Sequence, residues 1–221
     1  MTQLDGPRAQ PRSGGPARHL VVLLHGLGAD GDDLIQLTPY LGQALPDAAF
    51  VSPHAPEACD MAPFGRQWFS LQDQSPAALE AGTRRTAPVL DAFLDAELTA
   101  HGLSADRLAL LGFSQGGMMA LHVGLRRSAA PACICAFSAA LPGGERLADE
   151  IKSRPPVLLV HGEADEIIPV QALGAAEAAL SASGVPVTSE RRPGMGHGID
   201  ERGIQLAVEV LRGSLPGAST A

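Results

Sequence analysis

Three residue types spaced far apart along the chain could together carry acyl transfer. They are Ser114 within Gly112-Phe113-Ser114-Gln115-Gly116, Asp165 within His161-Gly162-Glu163-Ala164-Asp165, and His197 within Gly196-His197-Gly198. A serine hydroxyl is a poor nucleophile until an imidazole takes its proton. The imidazole in turn needs a carboxylate behind it to fix its tautomer and stabilise the imidazolium. The serine gives the clearest signal: it sits between an apolar run at 108–111 and a helix-like stretch at 117–122. That order of strand, tight turn and helix is what a G-x-S-x-G nucleophile elbow requires. In a chain with 25 glycines the bare pentapeptide would be weak, and its setting is what makes it informative. The chain order of serine, acid and histidine is also the one found on α/β sheets that carry such an elbow.

Other residues compete for each role. Of the 7 histidines, His19, His101 and His122 fall at element starts or within a helix and read as surface or core residues. His25 and His161 each precede a glycine at a strand end and are expected to hydrogen-bond loop backbone; His54 lies in a proline-rich loop at the rim of the site. His197, on a glycine-flanked loop after the last apolar run, has the position a base needs. Asp165 stands mid-turn between strand and helix, whereas Glu163 and Glu166 read as solvated loop charges. An oxyanion needs two aimed N–H donors. One is expected from the backbone of Gln115, at a helix N-terminus, and the other from the exit loop 25–31. That loop is glycine-rich but lacks the G-x-G-x-x-G spacing of a dinucleotide site, and Asp32-Asp33 would repel a pyrophosphate.

The elements that must position these residues alternate regularly. Strand-like runs are read at 19–25, 48–52, 108–111, 132–138, 157–161 and 185–191, and helices at 34–45, 76–101, 115–126, 170–182 and 203–211. Most runs are continuously apolar, as in parallel strands buried on both faces. Repeated strand–helix alternation predicts an α/β fold with a mostly parallel, doubly wound sheet and right-handed crossovers. The site should then lie beyond the C-terminal strand ends. Pro88 predicts a kink or break in the second helix. The connection at 53–75 is long and holds the single tryptophan. Long structured loops are usually functional, so Trp68 and Phe69 are expected to line a substrate pocket facing Ser114. The competing reading has Trp68 plugging the core beneath the loop.

Composition bounds the class. With 221 residues, 45% hydrophobic and 18% charged, the chain suits one folded domain, assigned to 19–212, without a separate cap. Residues 1–18 have no apolar stretch typical of a secretory signal and read as a flexible tail, as do 213–221. A net charge of −8 argues against nucleic acid and against an anionic membrane surface. Apolar runs are too short for membrane insertion, and the cytoplasm is the expected location. Lys152 is the only lysine, which removes the P-loop pattern. Cys133 and Cys135 read as buried core residues and Cys59 as a loop residue; neither a metal nor an organic cofactor is expected. A homodimer is compatible with the sequence, which does not set an oligomeric state.

Taken with the elbow, the segments His25-Gly26-Leu27-Gly28-Ala29-Asp30-Gly31, Pro53-His54-Ala55-Pro56, Arg66-Gln67-Trp68-Phe69 and Gly196-His197-Gly198 make the chain resemble the phospholipase/carboxylesterase family, bacterial esterases related to acyl-protein thioesterases. The resemblance spans about residues 19–212. It implies a lidless α/β-hydrolase fold, a triad of Ser114, Asp165 and His197, and oxyanion N–H groups from Leu27 and Gln115. Ser70 stands where many relatives have aspartate, a departure that bears on substrate preference. The expected activity is a serine carboxylesterase acting on short- to medium-chain esters, with a small-molecule ester as its partner. Thioester or lysophospholipid hydrolysis and acyl transfer to an alcohol are the nearest alternatives. A non-catalytic binding module on the same fold is a remote one, because it predicts a gap in the triad and every position is filled.

Overall fold

Apolar runs that do not alternate must be covered on both faces, and the central sheet is built that way. The computed structural model describes residues 4–218. In chain order it contains β1 (Arg8–Ala9), β2 (His19–Leu24), α1 (Gly31–Leu34), α2 (Thr38–Ala44), β3 (Ala48–Val51), β4 (Glu57–Ala58), β5 (Arg66–Gln67) and α3 (Pro76–His101). There follow β6 (Leu108–Phe113), α4 (Gln115–Arg126), β7 (Cys133–Phe137), α5 (Leu147–Glu150), β8 (Val157–Gly162), α6 (Gln171–Ala182), β9 (Val187–Arg192) and α7 (Glu201–Ser214). Seven strands form one sheet in the order β1-β3-β2-β6-β7-β8-β9, all neighbours parallel except β1 on β3; β4 and β5 make a separate small hairpin.

Alternate residues of each central strand feed two cores. Leu20, Val22 and Leu24 of β2 join the core against α3, α4 and α6, while Val21 and Leu23 join the one against α2 and α7. Cys133 and Cys135 share the second core, as their two-residue spacing implies. The fold is that of an α/β hydrolase, and the connection from β7 to β8 holds only α5 and one 3-10 turn, so no cap covers the sheet. Because β2, β6, β7, β8 and β9 run parallel, the segments after them emerge on one edge. Leu27, Ser114, Asp165 and His197 all follow such strand ends.

Three expectations are corrected. Residues 4–18 are not a loose tail: Arg8 and Ala9 pair antiparallel with Val51 and Phe50, Leu4 is buried, and Arg8 forms an ion pair with Glu97 of α3 at 2.6 Å. A two-residue edge strand has no periodicity to read. At the other end, Gly213 and Ser214 continue α7, Leu215 is buried, and the Pro216 carbonyl accepts hydrogen bonds from His19 Nε2 at 3.0 Å and Arg107 at 2.7 Å. Residues 1–3 and 219–221 lie outside the described residues. Finally, Pro88 does not break α3, which runs unbroken through it. Buried Thr83 and Thr86 before it, and Leu90, Phe93 and Leu94 after it, hold both halves in place, which outweighs one lost backbone hydrogen bond.

Candidate active site

Ser114 is the one residue between β6 and α4, and its backbone is held at φ 53°, ψ −119°. A non-glycine residue at positive φ costs on the order of 1–3 kcal/mol and persists only where its surroundings enforce it. Here Ser114 N–H donates to the Phe137 carbonyl at 2.9 Å, and its own carbonyl accepts from Met118 N–H at 3.1 Å. The elbow glycines permit the close approach: a Cβ on Gly116 would lie 2.0 Å from the Leu24 carbonyl oxygen, and one on Gly112 would lie 2.4 Å from that of Gly116. Among the described residues the Ser114 hydroxyl has no hydrogen-bond partner, so it is not bonded to His197 here. Such contacts often tighten only when substrate is bound.

Asp165 and His197 are brought together from the ends of β8 and β9. Asp165 Oδ2 lies 2.8 Å from His197 Nδ1, and Oδ1 accepts from the Ile167 and Ile168 N–H groups, both at 2.9 Å. Burial pushes the carboxyl upward, but the His197 bond and the two N–H groups more than offset it and hold Asp165 below the usual aspartate range. An ionised acceptor at Nδ1 places the imidazole hydrogen on that nitrogen and leaves the Nε2 lone pair free to take a proton. The His197 ring packs against Phe113, the residue before Ser114, with centroids 4.8 Å apart. His161 Nε2 reaches the Ile168 carbonyl at 2.7 Å and Asp165 Oδ2 at 3.3 Å, so it braces the acid and is not the base. Glu163 and Glu166 are exposed. Sequence reasoning missed Ser138, the residue after β7, at φ 46° with its Oγ 3.4 Å from the Gly198 carbonyl beside His197; no local motif marks it.

The expected donors are both uncommitted: among the described residues, the backbone N–H groups of Leu27 and Gln115 donate to no protein acceptor. The loop 53–75 supports them from beneath: of the two readings of Trp68, the pocket wall is corrected and the core plug holds. Trp68 and Phe69 are each 0% exposed, so neither lines an open pocket. Trp68 Nε1–H donates to the His25 carbonyl at 3.0 Å, and Trp68 N–H donates to Gln115 Oε1 at 2.8 Å. Gln115 Nε2–H donates to the Phe69 carbonyl at 2.7 Å. Both rings belong to the core, because the loop folds under the site instead of over it. His54 accepts from Gly31 N–H at 3.1 Å through Nδ1 and borders a separate cavity of about 490 Å³ with Asp5, Asp30 and Arg66. Among the described residues, no group of three or more His, Cys, Asp or Glu is arranged to hold a metal ion, and no helix is long and apolar enough to cross a membrane.

His25 must be neutral to hold this geometry: Nε2 accepts from Ala55 N–H at 3.0 Å, while Nδ1–H donates to the Gly26 carbonyl at 2.7 Å. Burial, only partly opposed by that carbonyl, lowers its pKa to about 4. His122, on α4, is lowered to about 4 by burial and then by Arg126 and Arg84, and its Nδ1 has no partner among the described residues. Between pH 4 and about 6.5 the unfolded chain therefore binds more protons than the folded one. Stability is fully present above about 6.5 and is lost as pH falls toward 4, on the order of 3 kcal/mol for each histidine. Calorimetric melts should show Tm falling steadily from pH 7 to 5, with a shallower fall in His122→Phe. A melting temperature constant over that range contradicts the assignment.

The chain is similar to known proteins over most of its length. The model for the family described as phospholipase/carboxylesterase matches residues 11–215. Esterase YpfH of Escherichia coli (strain K12) is 30% identical over 204 residues, covering 91% of this chain and 85% of that protein. Acyl-protein thioesterase 1 of Neurospora crassa is 30% identical over 200 residues, covering 82% and 81%. The crystal structure of esterase PE8 superposes with a TM-score of 0.93 at 42% identity, covering 97% of this chain and 100% of that one.

Proposed function

The chain belongs to the phospholipase/carboxylesterase family of hydrolases, and from that premise we propose that it hydrolyses short- to medium-chain carboxylic esters through an acyl-enzyme on Ser114. The observation that carries the reading is the 2.8 Å bond from His197 Nδ1 to a buried, ionised Asp165, on the same sheet edge as the Ser114 elbow. In the first half-reaction His197 Nε2 takes the Ser114 proton as Oγ attacks the ester carbonyl. The oxyanion is received by the N–H groups of Leu27 and Gln115. The imidazolium then gives its proton to the departing alkoxide, and the acyl group stays on Oγ. In the second half-reaction water attacks the acyl-enzyme with the same base, and the carboxylic acid leaves. An uncapped site suits this step, because water needs access to the ester.

The proposal includes a cytoplasmic setting, with which three free thiols at Cys59, Cys133 and Cys135 are consistent. A thioester reading is favoured by one finding, the likeness to a relative named as an acyl-protein thioesterase. The two are separated by kcat/KM across p-nitrophenyl esters from acetate to palmitate, measured beside an acyl-CoA and a palmitoylated peptide. The ester reading expects the highest values from butyrate to octanoate. Turnover confined to the palmitoylated peptide would replace it with the thioester reading, and no turnover of any substrate contradicts both.

A further inference from the structure

We infer that the Gln115 side-chain amide and the Trp68 indole are positioning residues that lock the two halves of the oxyanion hole to each other. The inference rests on the serine-hydrolase reading above and goes on to say what holds its donors in register. The two N–H groups come from parts of the chain nearly ninety positions apart, Leu27 after β2 and Gln115 at the start of α4. Neither element alone fixes their separation, yet oxyanion donors must be preorganised at the position where charge develops.

One short segment, residues 65–69, joins them. On the α4 side, the Gln115 amide is clamped by consecutive backbone groups, Trp68 N–H on Oε1 at 2.8 Å and the Phe69 carbonyl on Nε2 at 2.7 Å. The residue is 0% exposed, and turning the amide over would set donor against donor and acceptor against acceptor. So the residue that offers its backbone N–H to the oxyanion has its side chain held in a single orientation.

On the β2 side the same segment grips the exit loop before and after Leu27. Trp68 Nε1–H holds the His25 carbonyl at 3.0 Å. The Arg66 carbonyl accepts from Gly28 N–H at 2.9 Å, and Arg66 N–H donates to the Ala29 carbonyl at 2.8 Å. Anchors therefore fall at 25, 28 and 29, and the N–H of Leu27 between them is left without a protein acceptor. Behind the segment, Thr86 Oγ1–H of α3 donates to the Trp68 carbonyl at 2.7 Å, tying it to the core. A strut that only stabilised the fold would have no reason to surround one free N–H and end on the residue bearing the other.

The test compares Gln115→Met, Trp68→Phe and Thr86→Val with the unaltered protein. Gln115→Met and Thr86→Val keep shape and remove hydrogen bonds, while Trp68→Phe removes the indole N–H together with part of a buried ring. The measurements are kcat and KM on p-nitrophenyl butyrate, Ki for a trifluoromethyl ketone that forms a tetrahedral adduct, and fluorophosphonate titration of Ser114. Gln115→Met and Trp68→Phe should lower kcat roughly 10- to 100-fold with KM little changed. The ketone Ki should rise by the factor by which kcat/KM falls, because both depend on the oxyanion contacts. Titration should still reach one site per chain, which a mere loss of folded protein would not allow. Thr86→Val should show the same paired change on a smaller scale, and it carries the test if the other two do not fold. Folded variants with unchanged kcat, or with kcat reduced while Ki stays put, overturn the inference. If the unaltered protein is labelled at Ser114 and turns over the ester, that failure touches the strut alone; if it does neither, the proposed function falls with it.

Discussion

Ser114→Ala is expected to lower kcat by about 10⁶-fold, the scale seen when the nucleophile of a serine protease is removed, with residual rate from the oxyanion donors and binding. The fold should survive. The hydroxyl makes no hydrogen bond among the described residues, so its removal leaves no partner unpaired. The hydrogen bonds that hold the strained turn come from the backbone, from Ser114 N–H to Phe137 and from Met118 N–H to the Ser114 carbonyl. Steady-state rates on a p-nitrophenyl ester, measured beside thermal melts, check both parts. A variant that keeps activity within an order of magnitude of the unaltered protein removes Ser114 from the mechanism.

Asp165→Asn is expected to cost about 10⁴-fold in kcat, by analogy with the same change in a serine-protease triad. The structure supplies the reason. Oδ1 accepts two backbone N–H groups, from Ile167 and Ile168, so the amide oxygen of an asparagine must occupy that position. Its NH₂ is then forced to face His197 Nδ1, which must become an acceptor. The imidazole hydrogen moves to Nε2, and the lone pair that would take the serine proton is lost. Glu163→Gln and Glu166→Gln, at exposed positions, should change kcat far less. If either had the larger effect, the acid would have to be reassigned. Thermal melts of Asp165→Asn should stay close to those of the unaltered protein, since its oxygen keeps the two backbone hydrogen bonds.

Much of this arrangement was legible in the sequence because the signals were local. Helices α3 and α4 occupy the residues read from sequence, 76–101 and 115–126. In the structure Ser75 caps the first, its hydroxyl accepting from Ala78 N–H with Pro76 at the first helical position, and the elbow marks the start of the second. Continuous apolar runs gave the parallel strands, and the turn after each strand gave Ser114, Asp165 and His197 their common edge. What was not legible depends on distant partners. Trp68 and Phe69 stand in a loop whose length suggested a pocket wall, yet their place is set by Gln115, His25 and Thr86, none of them near in sequence. The same holds for Arg8 and Ala9, whose strand exists only because β3 offers an unpaired edge. Pro88 shows the converse, a strong local breaker overridden by packing on both sides.

Whether Ser114 is the nucleophile is decided by intact-protein mass spectrometry after treatment with a fluorophosphonate. One adduct per chain is expected, with peptide mapping placing it on Ser114 and Ser114→Ala acquiring none. Asp165→Asn should be labelled slowly, because the reagent needs the serine proton taken by His197. Quantitative labelling of another residue, or of Ser114→Ala itself, would remove Ser114 as the nucleophile.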